Sequence, residues 1–448
     1  MWTMKAYMDV VYKQFDALHW RSLHQPHLTL ADIQPILRTL STYTAIDVSL
    51  VGHSYNGKPI HQIRIGHGDK RVMGWTQMHG DEPTATAAIL DWFKILVSAP
   101  ALVAPTAFFS QCRLCFIVML NPDGAQRKTR RNAQSIDINR DARVLQSPEG
   151  VLLMQQVKRF SPHIAFNLHD QNPYYLAGVK DKHKRPSTMA FFAPPFDAQH
   201  TDDHNRQRAK QLIASMHHML GDYFDVAIAR YVDGYSARCF GDTIAGMCST
   251  ILIESGAHPD DPCRHTARKM NVMALHYAVL AFVLDESLAS EKDYYAIPEN
   301  VEDGMCDLLL RHVQMGQPEQ PYFADISINV LQDGARVTDI GDLASHAGFT
   351  EKACDNWRLL PDKPYQVTAP LTLTQSHYRT LLLQGFNRFI DSEHKLTIET
   401  SLPVVVSTSA ANDIHGPALG ARPAILLTKH QAPGLAVIDG TFIELEPD

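Results

Sequence analysis

Apolar positions follow two regimes along the 448 residues. Up to about residue 290, near-continuous apolar runs of strand length alternate with stretches of helical period. The strand-like runs are RVMGWTQM (71–78), CRLCFIVML (112–120), HIAFNL (163–168) and STILIE (249–254). Between them lie helical patterns at PTATAAILDWFKILV (83–97), SPEGVLLMQQVKRF (147–160), NRQRAKQLIASMHHML (205–220) and 264–286. Ser147 is placed to cap its helix, with Pro148 at the first helical position. Amphipathic patterns at 5–20 and 30–40 predict two further helices. SLVGHSYNGKPIHQIRIG (49–66) reads as strand, Asn-Gly turn, strand. This alternation predicts an α/β fold, a three-layer α/β/α sandwich around a mixed, mostly parallel central sheet. Strands this apolar have both sheet faces covered.

The pattern changes near GQPEQP (316–321), where Pro and Gln predict a linker over 296–321. Beyond it come short strands: DISINVL, YQVTAPLTLT, KLTIET, PVVVS, PAILLT and LAVIDGTFIEL. The expected organisation is therefore a catalytic domain over 1–295 and a smaller, mostly β accessory domain over 322–448. No catalytic constellation is legible in the accessory domain.

Composition narrows the function classes. A net charge of −7 and a pI near 6.4 argue against a nucleic-acid or anionic-membrane partner, which require excess Lys and Arg. No apolar run approaches the ~20 residues of a membrane span. The first residues, MWTMKAYMDVVYKQF, lack the apolar core of a signal peptide, so a cytoplasmic protein is expected. Seven cysteines are too few and too scattered for a disulfide scaffold. Cys112 and Cys115 form a CxxC without the second pair that structural zinc needs, and read as buried strand residues.

Candidate chemistry gathers at strand ends. His79 and Glu82, in TQMHGDEPTATAAI, follow one apolar strand, and His169, in NLHDQ, follows another. Open α/β sheets bind ligands at that edge. Two imidazoles and a carboxylate, with one position left open, suit a catalytic zinc ion. Glu254 ends a further strand and offers a non-ligating carboxylate for general-base work. The Arg-rich loop NPDGAQRKTRRNAQSIDINRDA (121–142) supplies groups that bind carboxylates or steady an oxyanion. His163, His204, His217 and His218 have no spaced partner and are assigned to no metal.

Taken in order, HGDE, NPDG, RKTR, DINR, LHD and ILIE resemble the zinc carboxypeptidase family, the carboxypeptidase A-like metallopeptidases. The resemblance covers about residues 30–288, and TRRNAQSIDINR is most similar to the compact bacterial members. It implies one zinc per chain on His79, Glu82 and His169, with Glu254 as general base and acid. Asn139 and Arg140 match the pair that grips a terminal carboxylate. Arg127 or Arg130 matches the oxyanion-stabilising arginine. Asp137 matches an acid that orients a ligating histidine. Tyr231 and Tyr235 are the nearest candidates for a tyrosine that closes over the substrate.

The implied activity is zinc-dependent hydrolysis of a peptide bond, on a peptide or small amide with a free carboxylate. Two alternatives stand beside it: a zinc amidohydrolase deacylating an N-acyl amino acid or cell-wall peptide amide, and a catalytically silent, zinc-stabilised binding protein. Asp141 departs from the family's common ending at that position. An acid there would favour a substrate carrying an amino group, unless it faces away. SARCFGDTIAGMCS, ahead of Glu254, defines no side-chain preference. The sequence leaves a homo-oligomer open.

Overall fold

The apolar strand runs become the centre of one eight-stranded sheet. The computed structural model describes residues 2–178, 184–408 and 417–445. It divides into two units, Met1–Val301 and Glu302–Asp448.

In the first unit, α1 (Met4–Leu18) and α2 (Leu30–Leu40) precede the hairpin β1 (Ile46–His53) and β2 (Pro59–Ile65). Then follow β3 (Lys70–Thr76), α3 (Thr84–Ser98), β4 (Cys112–Val118), α4 (Pro122–Arg127) and α5 (Pro148–Phe160). After these come β5 (Ile164–Asp170), β6 (Ser187–Phe192), α6 (His204–Gly221) and β7 (Ala227–Arg230). The unit continues with α7 (Phe240–Ala245), β8 (Ser249–Ser255) and α8 (His265–Leu284). The sheet order is β1-β2-β4-β3-β5-β8-β6-β7. Pairs β4–β3, β3–β5, β5–β8 and β6–β7 run parallel. Pairs β1–β2, β2–β4 and β8–β6 run antiparallel. The sheet is thus mixed, with a parallel centre.

Side chains alternate across each strand, and the two faces build separate layers. Val72, Leu114, Phe166 and Ile253 pack with α1, α2, α3, α6 and α8 on one side. Met73, Trp75, Ile117 and Ala165 pack with α5 and α7 on the other. Cys112 and Cys115 are buried on β4, and burial pushes both thiols up to about 12. They are core residues, as their apolar surroundings in the sequence suggest.

The segment expected to be a linker is ordered structure. The boundary between the units falls at Val301/Glu302, and GQPEQP forms the tip of a long hairpin, β9 (Met305–Gln317) and β10 (Gln320–Leu331). Its Pro and Gln are surface turn residues, and Gly316 takes φ +86° where the strand turns. The second unit is mostly β. Its described residues form one eight-stranded sheet, two small sheets and one helix, α9 (Gln375–Leu383). The hydrophobic alternation of its short strands gave no sign of that helix.

Candidate metal centre

Three parallel strands bring the candidate residues to one edge. In β5 and β8, His169 lies directly opposite Glu254 in register, and Thr76 at the end of β3 lies opposite Leu168. The chain leaves β3 through Gln77 in the left-handed region, φ 51°. Gln77 Nε2 donates to the carbonyls of Leu28 and Gly80, which fixes the turn carrying His79 and Glu82. At Gly80 a Cβ would lie 2.0 Å from the Gly124 carbonyl carbon, so only glycine fits. The NPDG segment braces this turn. Asn121 accepts from Gly124 N–H, capping α4, and its amide donates to the Met78 carbonyl. Asp123 accepts from Asn56 N–H, which ties the β1–β2 turn to the same place.

The result is a tight triad. His79 Nδ1 lies 2.6 Å from Glu82 Oε1, His169 Nδ1 lies 2.7 Å from Glu82 Oε2, and the two Nδ1 atoms are 3.1 Å apart. His79, Glu82 and His169 are buried. Among the described residues they are the one group of three whose donor atoms could hold a metal ion, all within 4.8 Å of one another. The donor set fits a zinc ion. His79 Nε2 donates to Asp137 Oδ1 at 3.1 Å, which leaves Nδ1 as a lone-pair donor. Two such nitrogens and a carboxylate packed in a dry site repel unless a cation joins them.

The protein's own charges report the same demand. Burial opposes charge on His79, but Glu82 and the hydrogen bonds from Asp137 and Glu82 prevail and raise it to about 9. Burial prevails at His169 and lowers it, because the two rings share the one carboxylate. Glu82 is held well below its ordinary range: burial raises it, and the two histidines more than offset this. Asp137 is likewise lowered, its burial outweighed by His79 and Arg130.

Glu254 sits beside the triad without joining it. No described residue hydrogen-bonds its carboxylate. Burial, then Glu82 and Asp170, raise it well above the ordinary carboxylate range. The two candidate arginines have different surroundings. Arg130 Nε donates to Asp137 Oδ2 at 2.9 Å, and its NH1 lies 3.1 Å from His79 Nδ1 and 3.4 Å from Glu82 Oε1. Arg127 instead donates to the Asn132 carbonyl at 2.7 Å, shaping the loop that carries Arg130.

Asn139 and Arg140 lie on a single 3₁₀ turn, Ile138–Arg140. Asn139 Nδ2 is 3.4 Å from His169 Nε2, and its Oδ1 accepts from Phe240 N–H. Arg140 donates to the Asn139 carbonyl and reaches Cys239 Sγ at 3.2 Å. Tyr231 follows β7 and packs on Tyr175 and Phe192, which places it in an aromatic cluster. Tyr235 is half-buried in the segment between β7 and α7. Beyond its own members, the triad's side chains bond to Asp137, Arg130, Asn139 and Asp170 rather than to either tyrosine.

Two acids beside the site, Asp141 and Asp170, have structural work. Asp141 is buried and turned away from the Arg140 side chain; it accepts from Ser147 Oγ and from the N–H groups of Gln146 and Ser147. Asp170 accepts from Thr84 N–H and Oγ, capping α3, while its own N–H donates to Glu82 Oε2. Burial pushes Asp170 up to about 6.

Residues 36–162 match the family model described as zinc carboxypeptidase. That span holds His79, Glu82 and the arginine loop, and it stops short of His169 and Glu254. No curated protein matches the chain. Among solved structures, the metallo-carboxypeptidase of Burkholderia cenocepacia is 15% identical with a TM-score of 0.47, covering 58% of this chain and 70% of that one. A Pseudomonas aeruginosa metallo-carboxypeptidase, in complex with (2-guanidinoethylmercapto)succinic acid, is 16% identical with a TM-score of 0.45, covering 58% and 70%. The Helicoverpa armigera carboxypeptidase A is 13% identical with a TM-score of 0.46, covering 63% and 81%. Likenesses this remote assign no function, and the family match covers 36–162 alone. No described helix is long and apolar enough to cross a membrane. Over residues 36–162 the chain is thus similar to zinc carboxypeptidases, and its His–Glu–His cluster can bind a metal ion.

Proposed function

We propose that the chain is a metallocarboxypeptidase that removes the C-terminal residue from a peptide with a free carboxylate. His79, Glu82 and His169 would hold one zinc ion. When bound, the ion supplies Lewis acidity, which polarises a carbonyl and acidifies water. Glu254 takes the proton of the attacking water and passes it to the departing amine. Arg130, tethered by Asp137, stabilises negative charge developing on the carbonyl oxygen. Asn139 and Arg140 hold the terminal carboxylate, and Arg140 selects free chain ends by its fixed positive charge. Tyr231 or Tyr235 covers the bound residue. Residues 322–448 would serve as an accessory domain.

One observation carries this reading: the carboxylate of Glu254, free of hydrogen bonds, stands in register beside a three-donor cluster that leaves it no metal-holding role. The experiment is to incubate the zinc-loaded protein with matched peptides ending in a free carboxylate or an amide, and to follow released amino acids. Release from the free-acid peptides alone is expected. Equal release from amidated peptides, or turnover confined to N-acyl amino acids, would refute it.

A further inference from the structure

We infer that Asn167 forms the floor of the subsite for the released residue and selects a side chain that carries hydrogen-bonding groups of its own, an acceptor among them. This rests on the carboxypeptidase reading and adds a substrate class to it.

Asn167 lies two residues before His169 on β5, so both point to the same face of the sheet. It is fully buried, and neither Oδ1 nor Nδ2 has a hydrogen-bond partner. Directly opposite it on β3 stands Trp75, also fully buried, with Nε1 unpartnered. Three unpaired polar atoms thus meet on neighbouring strands beside the metal cluster. Buried polar groups nearly always have partners, and leaving them without is costly. The chain supplies none, so the partner comes from outside it: a bound side chain, or an ordered water that relays to one. The rest of this layer is apolar, with Ala165, Ile117, Phe240 and Ile244. A leucine would serve position 167 better if packing were its whole role.

The position fits a substrate held as proposed. Helix α7 begins at Phe240, whose N–H is bonded to Asn139 of the carboxylate grip. The next residue, Gly241, stands over Asn167. A Cβ there would lie 3.2 Å from Asn167 Nδ2 and 3.5 Å from Pro194 Cγ. A side chain at position 241 would therefore crowd the amide. Asn139 in turn lies beside His169. The metal ligand, the grip and Asn167 all border the first turn of α7, where the terminal residue's side chain would enter. The N–H groups of Asn167 and Trp75, with the one carbonyl of Asn167, favour a side-chain amide, which both accepts and donates, over an aliphatic group.

The test compares kcat/KM for N-acyl dipeptides ending in Gln, Leu or Gly, with zinc content and thermal unfolding measured on every sample. Wild type should favour Gln over Leu by about 10-fold or more, as expected of a subsite built for hydrogen bonding. Asn167→Leu should lower that ratio at least about 10-fold. An unchanged ratio in a folded, zinc-loaded Asn167→Leu enzyme would overturn the inference. Because a buried substitution can impair folding, Gly241→Ala gives a second reading. It should cost Gln-terminated substrates at least about fivefold more than Gly-terminated ones, and equal losses on both would overturn the inference. No release from any peptide by the zinc-loaded wild type would instead reject the carboxypeptidase reading, and the subsite with it.

Discussion

Replacing Asp137 with Ala separates an orienting role from a decorative one. The Asp137 side chain is only 9% exposed and spans two partners: Oδ1 accepts from His79 Nε2 at 3.1 Å, and Oδ2 accepts from Arg130 Nε at 2.9 Å. The Ala variant frees both. The His79 ring then regains its rotation and loses the bond that keeps Nδ1 bare. Loss of such an outer partner lowers metal affinity by about 10- to 100-fold, or about 1.4 to 2.8 kcal/mol. The Arg130 contact adds little to affinity, because that side chain is 42% exposed and its charge is screened. It should appear in kcat instead. Asp137→Asn is the control: its amide oxygen can still accept from His79, while its N–H₂ faces the Arg130 donor. Asn should therefore recover most of the zinc affinity and little of the rate. Zinc affinity is read by competition with a chromophoric chelator, and kcat on the best peptide at saturating zinc. If Asp137→Ala binds zinc within about twofold of wild type, Asp137 does not orient His79 for the metal and the reasoning fails.

Two further outcomes follow from named contacts. Arg130→Met should lower kcat by about 10²- to 10³-fold, while Arg127→Met, which loses only a loop contact, should cost far less; comparable losses would return the assignment to ambiguity. His276 is fully buried, accepts from Trp92 Nε1, donates to the Val103 carbonyl, and is pushed by burial from 6.5 down to about 4. Between those values the unfolded chain binds a proton that the folded chain does not. Stability should therefore fall as pH drops from 6.5 to 4, by up to about 3 kcal/mol. His276→Gln should flatten this stretch in urea unfolding at several pH values, and an unchanged slope would refute the linkage.

Much of the first unit was legible because its central strands are buried on both faces, which writes an unbroken apolar run into the sequence. The missed strands, Ser187–Phe192 and Ala227–Arg230, lack that signature. The first runs straight into Pro194 and Pro195, and the second is four residues long. The linker was misplaced for a related reason: a hairpin tip and a linker share the same polar, proline-containing composition. At the site, His79, Glu82, His169 and Glu254 could be picked out because each ends or follows a recognisable strand. RKTRR could not be narrowed by spacing, since the contacts that distinguish Arg127 from Arg130, to the Asn132 carbonyl and to Asp137, exist only in the folded loop. Asp141 looked like a specificity signal until its partner Ser147 became visible. Asn167 carried no signal, because a polar residue inside a strand reads as an ordinary interruption until its lack of partners is seen.

The most direct test pairs metal content with turnover in wild type and Glu254→Gln. Both proteins should bind about one zinc ion per chain, since Glu254 lies outside the donor cluster. Wild type should release a C-terminal residue, and Glu254→Gln should lose at least about 10²-fold in kcat. Normal turnover by a zinc-loaded Glu254→Gln, or failure of the wild type to retain zinc, would contradict the account.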